Sequence, residues 1–373
     1  MKIAVISSVY GSPWAGSEEF WYQTSLKCLQ QGHQVFASLF QVNSYCEQLN
    51  NFKEKGGILN FRKRFSNGRR HVLKHKYLFS SFNKLFDWNP DTIILSLGCM
   101  TDLALYPDLL RQLNKQPAIK IIMITLFNSD NIVLNTITRQ TLVTFCKKTS
   151  HFIFVSRHNY TLAERQLALK LNNVSVLSSP VSYLGEYKQL PRLADIENLN
   201  MACVARLDII NKGQDILLQA LSNEKWKQRN WILNMYGKGE DEFYIKQLIN
   251  FYKLEDKVRF CGFVTDTREI WSKNHLLVMA SRSEGLSLAV LEAMICGRIC
   301  VVTDVGGHGE VIQDSVSGFL AEAANPKYFE AALERAWLMR DQFNMITKNA
   351  HASALQIFKE KPVEKLMKII FNN

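Results

Sequence analysis

The sequence predicts an α/β fold built from two domains, and three observations support this prediction. The chain has 373 residues, a length typical of about two domains. Hydrophobic residues make up 47% and charged residues 21% of the chain, a composition that allows two buried cores. Short aliphatic runs alternate with longer amphipathic stretches along almost the whole chain, which is typical of repeated βαβ units on parallel sheets.

The first half contains aliphatic and β-branched runs that we predict to be buried strands. These runs cover residues 3–7, 34–39, 92–97, 120–126, 151–155 and 174–177. Between about residues 178 and 199 the pattern lapses into Ser-Pro, Leu-Gly and Leu-Pro signals. Such signals are typical of a linker, so we predict an N-terminal domain over residues 1–185.

The alternation of strand and helix patterns resumes after this linker. Strands are predicted at residues 200–205, 231–236, 258–261, 276–279, 299–303 and 318–320, and helices at 213–221, 241–252, 288–296 and 327–339. A C-terminal domain over residues 186–355 follows, with a last helix of about residues 356–373 that we expect to pack back on the first domain. The predicted architecture is therefore two Rossmann-like domains whose parallel sheets face a central cleft.

Charge indicates the class of partner. The chain has 45 basic and 34 acidic residues, a net charge of +11, which favours anionic partners. Much of the excess lies between residues 61 and 79, interleaved with aromatic and aliphatic residues, at Arg62, Lys63, Arg64, Arg69, Arg70, Lys74 and Lys76. Both a solvated face and a patch for an anionic membrane surface fit this pattern. We expect no nucleic-acid partner, because no recognisable reading motif accompanies the charge.

Cysteine usage and hydropathy indicate the compartment. The eight cysteines form no CxxC pair, which favours reduced core thiols over zinc ligands or disulfides. No run approaches the roughly 18 apolar residues that would span a bilayer. We expect a protein that is cytoplasmic or peripheral on the inner face of the cytoplasmic membrane.

The segment from residue 281 to 312 carries the strongest signal for a functional site. Here a predicted strand ends, a loop contains Glu284 and Gly285, and a helix begins near Ser287. The free amides and positive dipole end of such a helix bind phosphate. Glu292 follows Glu284 by eight positions, about two helical turns, so both carboxylates can border one crevice.

Two cations and a glycine-containing loop add to this signal. Arg206 follows a predicted strand and Lys212 precedes the next helix, an arrangement that can clamp a diphosphate, although single cations of this kind are usually surface charges. Gly11 and Gly16 lie in the loop after the first strand, and a helix is predicted from about Ser17. The loop is similar to a phosphate cradle, but it has neither the GxGxxG nor the Walker pattern.

Taken together, these motifs resemble a known family. Residues 201–337 look like the nucleotide-binding domain of retaining GT-B glycosyltransferases, specifically of glycosyltransferase family 4. The resemblance rests on Arg206, on the Lys212–Gly213 pair, on the glycine turn at 236–239, on FCGFV at 260–264 and on the two glutamates. In the first domain, GSEE at 16–19 and QGHQV at 31–35 are similar to the family's first loop and second strand.

The resemblance implies a role for each matched residue. Arg206 and Lys212 would hold the donor diphosphate, Glu284 would bond hydroxyls of the transferred sugar, and these three form the implied catalytic set. Glu292 would bond the ribose. The implied donor-binding set further contains Gly16, Ser17, Gly237, Phe263, Gly285, Leu286, Ser287 and Leu288.

The acceptor side departs from the family's pattern. Members often carry a histidine near the end of a central strand of the first domain, where this chain has Asn128 and Ser129. With Asp102, these are the candidate acceptor-side residues. We expect a structural or solvent-facing role for His308 in GGHGE. No cofactor and no metal are expected, because the sequence contains no Asp-x-Asp pattern.

We therefore expect a retaining, metal-independent hexosyltransferase. It would move a sugar from a nucleotide diphosphate sugar to a hydroxyl of a glycan or lipid-linked glycan, in cell-surface polysaccharide or lipopolysaccharide biosynthesis. Two alternatives stay open at this point. One is a noncatalytic nucleotide-sugar-binding partner subunit, and the other is a nucleotide-sugar epimerase or phosphorylase of the same architecture.

Overall fold

Two units make up the chain. The computed structural model describes residues 1–10, 14, 18–41, 46–63, 80–180, 197–359 and 361–372. Contacts divide the chain into Met1–Ser182 with Glu360–Asn373, and Tyr183–Lys359. The predicted boundary between residues 185 and 186 lies outside the described residues.

In the described part of the first unit, a seven-stranded sheet forms the centre, with parallel neighbours throughout. Its strands are β1 (Lys2–Ser7), β2 (Gln34–Phe40), β3 (Ile58–Arg62), β4 (Thr92–Cys99), β5 (Lys120–Phe127), β6 (His151–Phe154) and β7 (Val174–Val176). The order is β3-β2-β1-β4-β5-β6-β7, so the chain changes direction across the sheet between β1 and β4. Ligands of open α/β sheets bind at the carboxyl ends of strands at such a switch point.

Helices connect these strands. They are α1 (Glu19–Gln30), α2 (Glu47–Glu54), α3 (Asn83–Asp87), α4 (Pro107–Asn114), α5 (Thr136–Lys148) and α6 (Arg157–Leu167), with a 3₁₀ turn at Met100–Leu105. Two of them begin at polar caps, because Asn135 accepts a hydrogen bond from the amide of Thr138 and Ser156 accepts one from the amide of Asn159.

The second unit is built on a six-stranded sheet over the residues described there. Its strands are β8 (Leu199–Val204), β9 (Trp231–Tyr236), β10 (Val258–Gly262), β11 (Leu276–Met279), β12 (Ile299–Thr303) and β13 (Phe319–Ala321). Neighbouring strands are again parallel, in the order β10-β9-β8-β11-β12-β13, and the switch point lies between β8 and β11. Both faces are covered, since Met201 and Cys203 belong to one hydrophobic core and Ala202 to another.

The helices of the second unit follow its strands in the expected alternation. They are α7 (Ile209–Lys212), α8 (Gln214–Leu221), α9 (Glu224–Lys227), α10 (Glu242–Tyr252), α11 (Thr267–Lys273), α12 (Leu288–Ile295), α13 (His308–Val311), α14 (Pro326–Leu338) and α15 (Phe343–Phe358). The α/β class predicted from the sequence is confirmed by the two parallel sheets.

The last helix, α16 (Pro362–Phe371), belongs to the first unit. Its Leu366 and Ile370 are buried, Glu364 lies 3.8 Å from the ammonium of Lys27 on α1, and the ring of Phe371 lies 4.5 Å from that of His33. An amphipathic helix at the end of the chain thus covers part of the first unit's surface.

Arg62 corrects one sequence prediction. It ends β3 and is only 3% exposed, whereas the charge pattern grouped it with a surface patch. Its guanidinium donates to the carbonyls of Ser7 (2.6 Å) and Ser38 (2.9 Å) and lies 4.8 Å and 4.9 Å from the ring centres of Phe82 and Phe40. Arg62 is therefore a buried structural cation.

Of the predicted basic patch, only residues 61–63 lie within the described part of the chain. Phe61 and Lys63 are exposed, and residues 64–79 lie outside the described residues. Within the described part of the chain, no helix is both long enough and apolar enough to cross a membrane.

Candidate functional site

The candidate site of the second unit lies at the carboxyl ends of two neighbouring strands. After β8 the chain forms a short loop and then α7, and after β11 it forms a loop that leads to α12. Because β8 and β11 pair in parallel at the switch point, both loops emerge at the same edge of the sheet. This placement brings Lys212 and Glu284 together, although 72 positions separate them.

Lys212 and Glu284 form a largely buried ion pair. The ammonium of Lys212 donates to Glu284 Oε1 at 2.7 Å, and the hydroxyl of Ser281 donates to the same oxygen at 2.9 Å. The side chain of Glu284 is 7% exposed and that of Lys212 is 22% exposed. Burial alone would raise the pKa of Glu284, but the charge of Lys212 and the two hydrogen bonds hold that pKa below its usual value. The carboxylate is therefore ionised at neutral pH.

His308 is fully buried close to this pair. Its Nδ1 donates to the carbonyl of Thr303 at 2.9 Å, and because a carbonyl can only accept, Nδ1 carries the hydrogen. Burial lowers the pKa of His308, against the opposing effect of the Glu284 charge, so the ring is neutral. The contact fixes the loop after β12 to the end of its own strand.

Glu292 is the second buried carboxyl group of the region. It lies on α12, whose N-terminal cap is Ser287, and it is 9% exposed. Burial raises the pKa of Glu292 to about 7, although a hydrogen bond with the side chain of Thr267 acts in the opposite direction. A buried carboxyl group with a strongly shifted pKa is a candidate for function. The hydroxyl of Ser287 makes no capping bond, so the first amides of α12 are not satisfied by that side chain.

Arg206, which follows β8, makes an ion pair of its own. Its side chain is 63% exposed, and its guanidinium pairs with Asp208 at 2.8 Å rather than with Glu284. Asp208 also caps α7 by accepting a hydrogen bond from the amide of Asn211. The structure thus joins Lys212 and Glu284 directly, while the exposed Arg206 pairs with Asp208.

Close backbone contacts explain two of the glycines. Gly213 separates α7 from α8 with φ of 61°, and a Cβ there would lie 2.0 Å from the carbonyl oxygen of Ala280. Gly237 has φ of 132°, and its Cβ would lie 2.0 Å from the carbonyl oxygen of Ala205. Only glycine fits at these points. Both glycines therefore allow the loops after β8, β9 and β11 to pack closely.

The other predicted donor-binding residues surround the start of α12 or follow β10. The carbonyl of Gly285 accepts a hydrogen bond from the amide of Gly307 at 2.6 Å. Leu286 packs against the core beside α12, and Leu288 begins that helix. Phe263, which follows β10, is 70% exposed.

The first-unit candidates make contacts within their own unit. Asp102 accepts hydrogen bonds from the hydroxyl of Ser8 (2.5 Å) and the amide of Cys99 (3.1 Å), which fix the turn after β4. Asn128 is 3% exposed, donates to Gln166 at 2.9 Å and accepts from the amide of Ser129 at 2.9 Å. Ser129 is buried next to it. Gly16 and Ser17 lie outside the described residues.

Sequence reasoning missed a buried network at the carboxyl end of β1. Glu18 accepts hydrogen bonds from Ser7 (2.8 Å) and from the indole of Trp21 (2.9 Å), and burial raises its pKa to about 7. Arg62 donates to the carbonyl of the same Ser7. The available signal was an acidic residue just before α1 together with an arginine at the end of an edge strand.

Part of the second unit is similar in sequence to a known protein family. Residues 198–338 match the family described as glycosyl transferases group 1. An uncharacterized glycosyltransferase of Haemophilus influenzae is 29% identical over 196 residues, covering 52% of this chain and 53% of the relative. The N-acetyl-alpha-D-glucosaminyl L-malate synthase of Bacillus anthracis is 37% identical over 93 residues, covering 25% and 24%. The chain spans about half or less of the length of these relatives.

Comparison with solved structures covers the whole chain. Anabaena HepE in complex with UDP and glucose has a TM-score of 0.77 at 17% identity, with 99% of both chains covered. The lipopolysaccharide outer core galactosyltransferase WaaB has a TM-score of 0.72 at 17% identity, with 100% of this chain and 99% of WaaB covered. The chain therefore has the GT-B fold of two Rossmann-like domains, and its residues 198–338 have the sequence pattern of a group 1 glycosyl transferase domain.

Proposed function

We propose that the protein is a retaining glycosyltransferase that moves a sugar from a nucleotide diphosphate sugar to a hydroxyl of a glycan or glycolipid. The observation that carries this proposal is the buried Lys212–Glu284 pair within the segment that matches group 1 glycosyl transferases. UDP and glucose bound to HepE support a nucleotide-sugar donor, and the name of WaaB supports a cell-surface glycan as product.

The reaction requires stabilisation of a leaving diphosphate. The bond from the sugar's anomeric carbon to the diphosphate oxygen breaks, and its electron pair stays on that oxygen. The acceptor oxygen bonds to the anomeric carbon on the same face, and its proton passes to the departing phosphate. Lys212 and the first amides of α12 would meet the developing negative charge. Fixed donors of this kind are each worth about 3–4 kcal/mol of transition-state stabilisation.

Glu284 is suited to the sugar rather than to the phosphate. Both of its hydrogen bonds in the described part of the chain use Oε1, which leaves Oε2 to accept from sugar hydroxyls. Its ionised state makes such bonds short and strong. Since the oxocarbenium-like centre gains positive charge, a nearby carboxylate also favours the transition state electrostatically.

Glu292 would bind the ribose of the nucleotide, and Phe263 would lie near its base. Burial raises the pKa of the Glu292 carboxyl group to about 7, because its charged form is poorly solvated there. Ribose hydroxyls that donate hydrogen bonds to this carboxyl group would stabilise it. The exposed ring of Phe263 is available for contact with a ligand. Arg206, whose side chain is exposed, would contribute a second cation for the diphosphate.

Nucleotide binding provides the first test. We expect UDP or GDP to bind the wild-type protein in calorimetry and to raise its unfolding temperature, because ligand at 100 times its Kd adds about 2.7 kcal/mol of stability. Lys212→Met should abolish most of this affinity and the transfer activity. Lys246→Met, which breaks a lysine–glutamate pair on the surface of α10, serves as the matched control and should bind as wild type. Absence of binding to any nucleoside diphosphate would refute the proposal.

Metal independence is a separate part of the proposal. It is supported by the absence of Asp-x-Asp from the sequence and by the availability of Lys212 for the diphosphate charge. Transfer should therefore proceed in excess EDTA at the rate measured without it. Loss of activity in EDTA, with recovery on adding magnesium or manganese, would contradict this part.

A noncatalytic nucleotide-sugar-binding subunit is the second candidate, and Asn128 favours it. Both ends of its amide are engaged, by Gln166 and by the amide of Ser129, at the place where the sequence lacks the histidine of related transferases. Binding of a nucleotide sugar without hydrolysis or transfer across a broad acceptor panel would support this candidate over the enzyme.

A further inference from the structure

Arg282 makes a fork of hydrogen bonds that joins the loop after β11 to the helices after β8. Its Nη1 donates to Asp215 Oδ1 at 2.8 Å and to the carbonyl of Ile209 at 2.6 Å, and its Nη2 donates to Asp215 Oδ2 at 2.6 Å. This is a bidentate arginine–carboxylate pair with an additional backbone bond. Arg282 therefore fixes two points, one on α7 and one on α8.

The connected segments carry the two members of the ion pair described above. Arg282 precedes Glu284 by two positions, and Ile209 begins the four-residue helix that ends at Lys212. The backbone reinforces the link, since the amide of Arg282 donates to the carbonyl of Asn211 at 2.8 Å. The position of Lys212 relative to Glu284 thus depends on contacts centred on Arg282.

A single polar contact holds the ammonium of Lys212 among the described residues. The side chain of Lys212 is a flexible stem, and this contact is its bond to Glu284. The fork of Arg282 is stiffer, because a planar guanidinium meets a carboxylate in a single geometry. Asp215 raises the pKa of Arg282 through these bonds, so the fork stays charged throughout the ordinary pH range.

We propose that Arg282 is a positioning residue that, together with Asp215, holds Lys212 beside Glu284 and so places the ammonium for the donor's diphosphate. Arg282 would not contact the substrate itself. The statement about the diphosphate rests on the function proposed above, whereas the statement about the place of Lys212 does not. The two parts are therefore tested by separate measurements.

The first measurement needs no ligand. Reductive methylation with formaldehyde and cyanoborohydride, followed by mass spectrometry, reports how accessible each lysine is in the full chain. Arg282→Met and Asp215→Asn should each raise the methylation rate of Lys212 by about tenfold, since each removes charged hydrogen bonds. The exposed Lys246 should react at its wild-type rate in both variants.

A matched variant separates positioning from general loosening. Glu334→Gln breaks another bidentate pair of the second unit, in which Arg229 donates to Glu334 at 2.7 Å and 2.9 Å. Lys212 should keep its wild-type methylation rate in this variant. An unchanged rate at Lys212 in folded Arg282→Met would overturn the proposal. If Arg282→Met does not fold, Asp215→Asn and Arg282→Lys, which keep polar side chains of similar size, decide in its place.

The second measurement is a double-mutant cycle on UDP affinity. Arg282→Met should weaken binding by on the order of 10- to 100-fold, as expected when a binding group is displaced rather than removed. The Arg282→Met/Lys212→Met double variant should bind no more weakly than Lys212→Met alone. Additive losses would overturn the inference. If the wild-type protein binds no nucleoside diphosphate, the proposed function fails, and the methylation result still decides whether Arg282 positions Lys212.

Discussion

The two buried glutamates of the second unit differ in charge because their neighbours differ. Glu284 faces the ammonium of Lys212 at 2.7 Å, and its pKa is held below the usual value. Glu292 has a hydroxyl partner and no cation among the groups that shift it, and burial raises its pKa to about 7. One carboxyl group is thus a fixed anion, and the other titrates near neutrality.

This difference predicts that the two glutamates fail in different ways when replaced. Glu292→Ala should weaken binding of free UDP, because the ribose hydrogen bond proposed for Glu292 would be made alike in ground and transition states. Glu284→Gln should leave UDP affinity nearly intact and lower kcat, because glutamine keeps an oxygen acceptor for Lys212 but loses the charge proposed to face the reacting sugar. Calorimetry with UDP and initial rates with the full donor measure both effects. The opposite pattern would reverse the assignment.

The raised pKa of Glu292 also predicts an effect on stability. In the unfolded chain the group titrates near 4.5, and in the folded protein near 7, so between these values the folded state holds the extra proton. Stability from this group is therefore greatest below pH 4.5 and is lost as the pH rises to 7, by about 3 kcal/mol. Glu292→Gln, which stays neutral, should be more stable than wild type at pH 8, and equal to it near pH 4.

Urea unfolding of both proteins across this pH range measures the gain. Glu18→Gln provides a contrast, because the pKa of Glu18 is also raised to about 7 but its carboxyl accepts hydrogen bonds from Ser7 and Trp21. Its gain at pH 8 should be smaller, since glutamine cannot accept at both ends. A Glu292→Gln advantage that is larger at low pH than at high pH would contradict the argument.

Single residues also mark where sequence reasoning stops. Lys212, Glu284 and Glu292 were identified because each occupies a motif that a reader of the sequence can recognise. Arg282 and Asp215 were not, because they are 67 positions apart and neither lies in a pattern that predicts a partner. Arg62 was assigned to a surface because local charge density says nothing of the three aromatic rings that surround its guanidinium.

At the scale of elements, the aliphatic runs predicted the central strands well, because parallel strands buried on both faces are nearly continuous apolar sequence. Strand β3 was missed because it has no such continuous apolar run. Its sequence ILNFR is short, with two polar residues among five, and its burial pattern is mixed because it lies at the edge of the sheet. The four-residue helix α7 was also missed, since one helical turn has no periodicity to detect.

The junction of α7 and α8 yields a prediction for Gly213. Gly213→Ala should force the two helices away from β11, because its Cβ would lie 2.0 Å from the carbonyl oxygen of Ala280, and φ there is 61°. Gly262→Ala is the matched control, since its φ is 70° but no atom lies within 4 Å of the added Cβ. It should cost only about 1 kcal/mol of left-handed strain.

Urea unfolding and UDP calorimetry of both variants test this prediction. Gly213→Ala should lose clearly more stability than Gly262→Ala, and it should also lose nucleotide affinity, because Lys212 precedes the displaced glycine. Equal stabilities of the two variants would show that the close contact with Ala280 is unimportant.

At the scale of the whole molecule, the excess of basic residues remains to be assigned. The net charge is +11, and the burial of Arg62 removes one member from the predicted surface patch. Of the remaining members, Lys63 is exposed, and the others lie within residues 64–79, outside the described part of the chain. We propose that they attach the protein peripherally to an anionic membrane surface, where lipid-linked acceptors would be available.

This proposal predicts binding to vesicles of anionic phospholipid that weakens as salt rises, because each basic residue near such a surface contributes about 1 kcal/mol and is screened by ions. The double variant Arg69→Glu/Arg70→Glu should lower the affinity for these vesicles at low salt by about tenfold or more. Arg62 is left intact, since reversing a buried charge would unfold the first unit.

The control is Lys115→Glu with Lys348→Glu, two exposed lysines whose reversal changes the net charge equally. If both pairs reduce co-sedimentation alike, attraction is due to net charge and not to this segment. If wild type does not co-sediment at low salt, the segment is a solvated face.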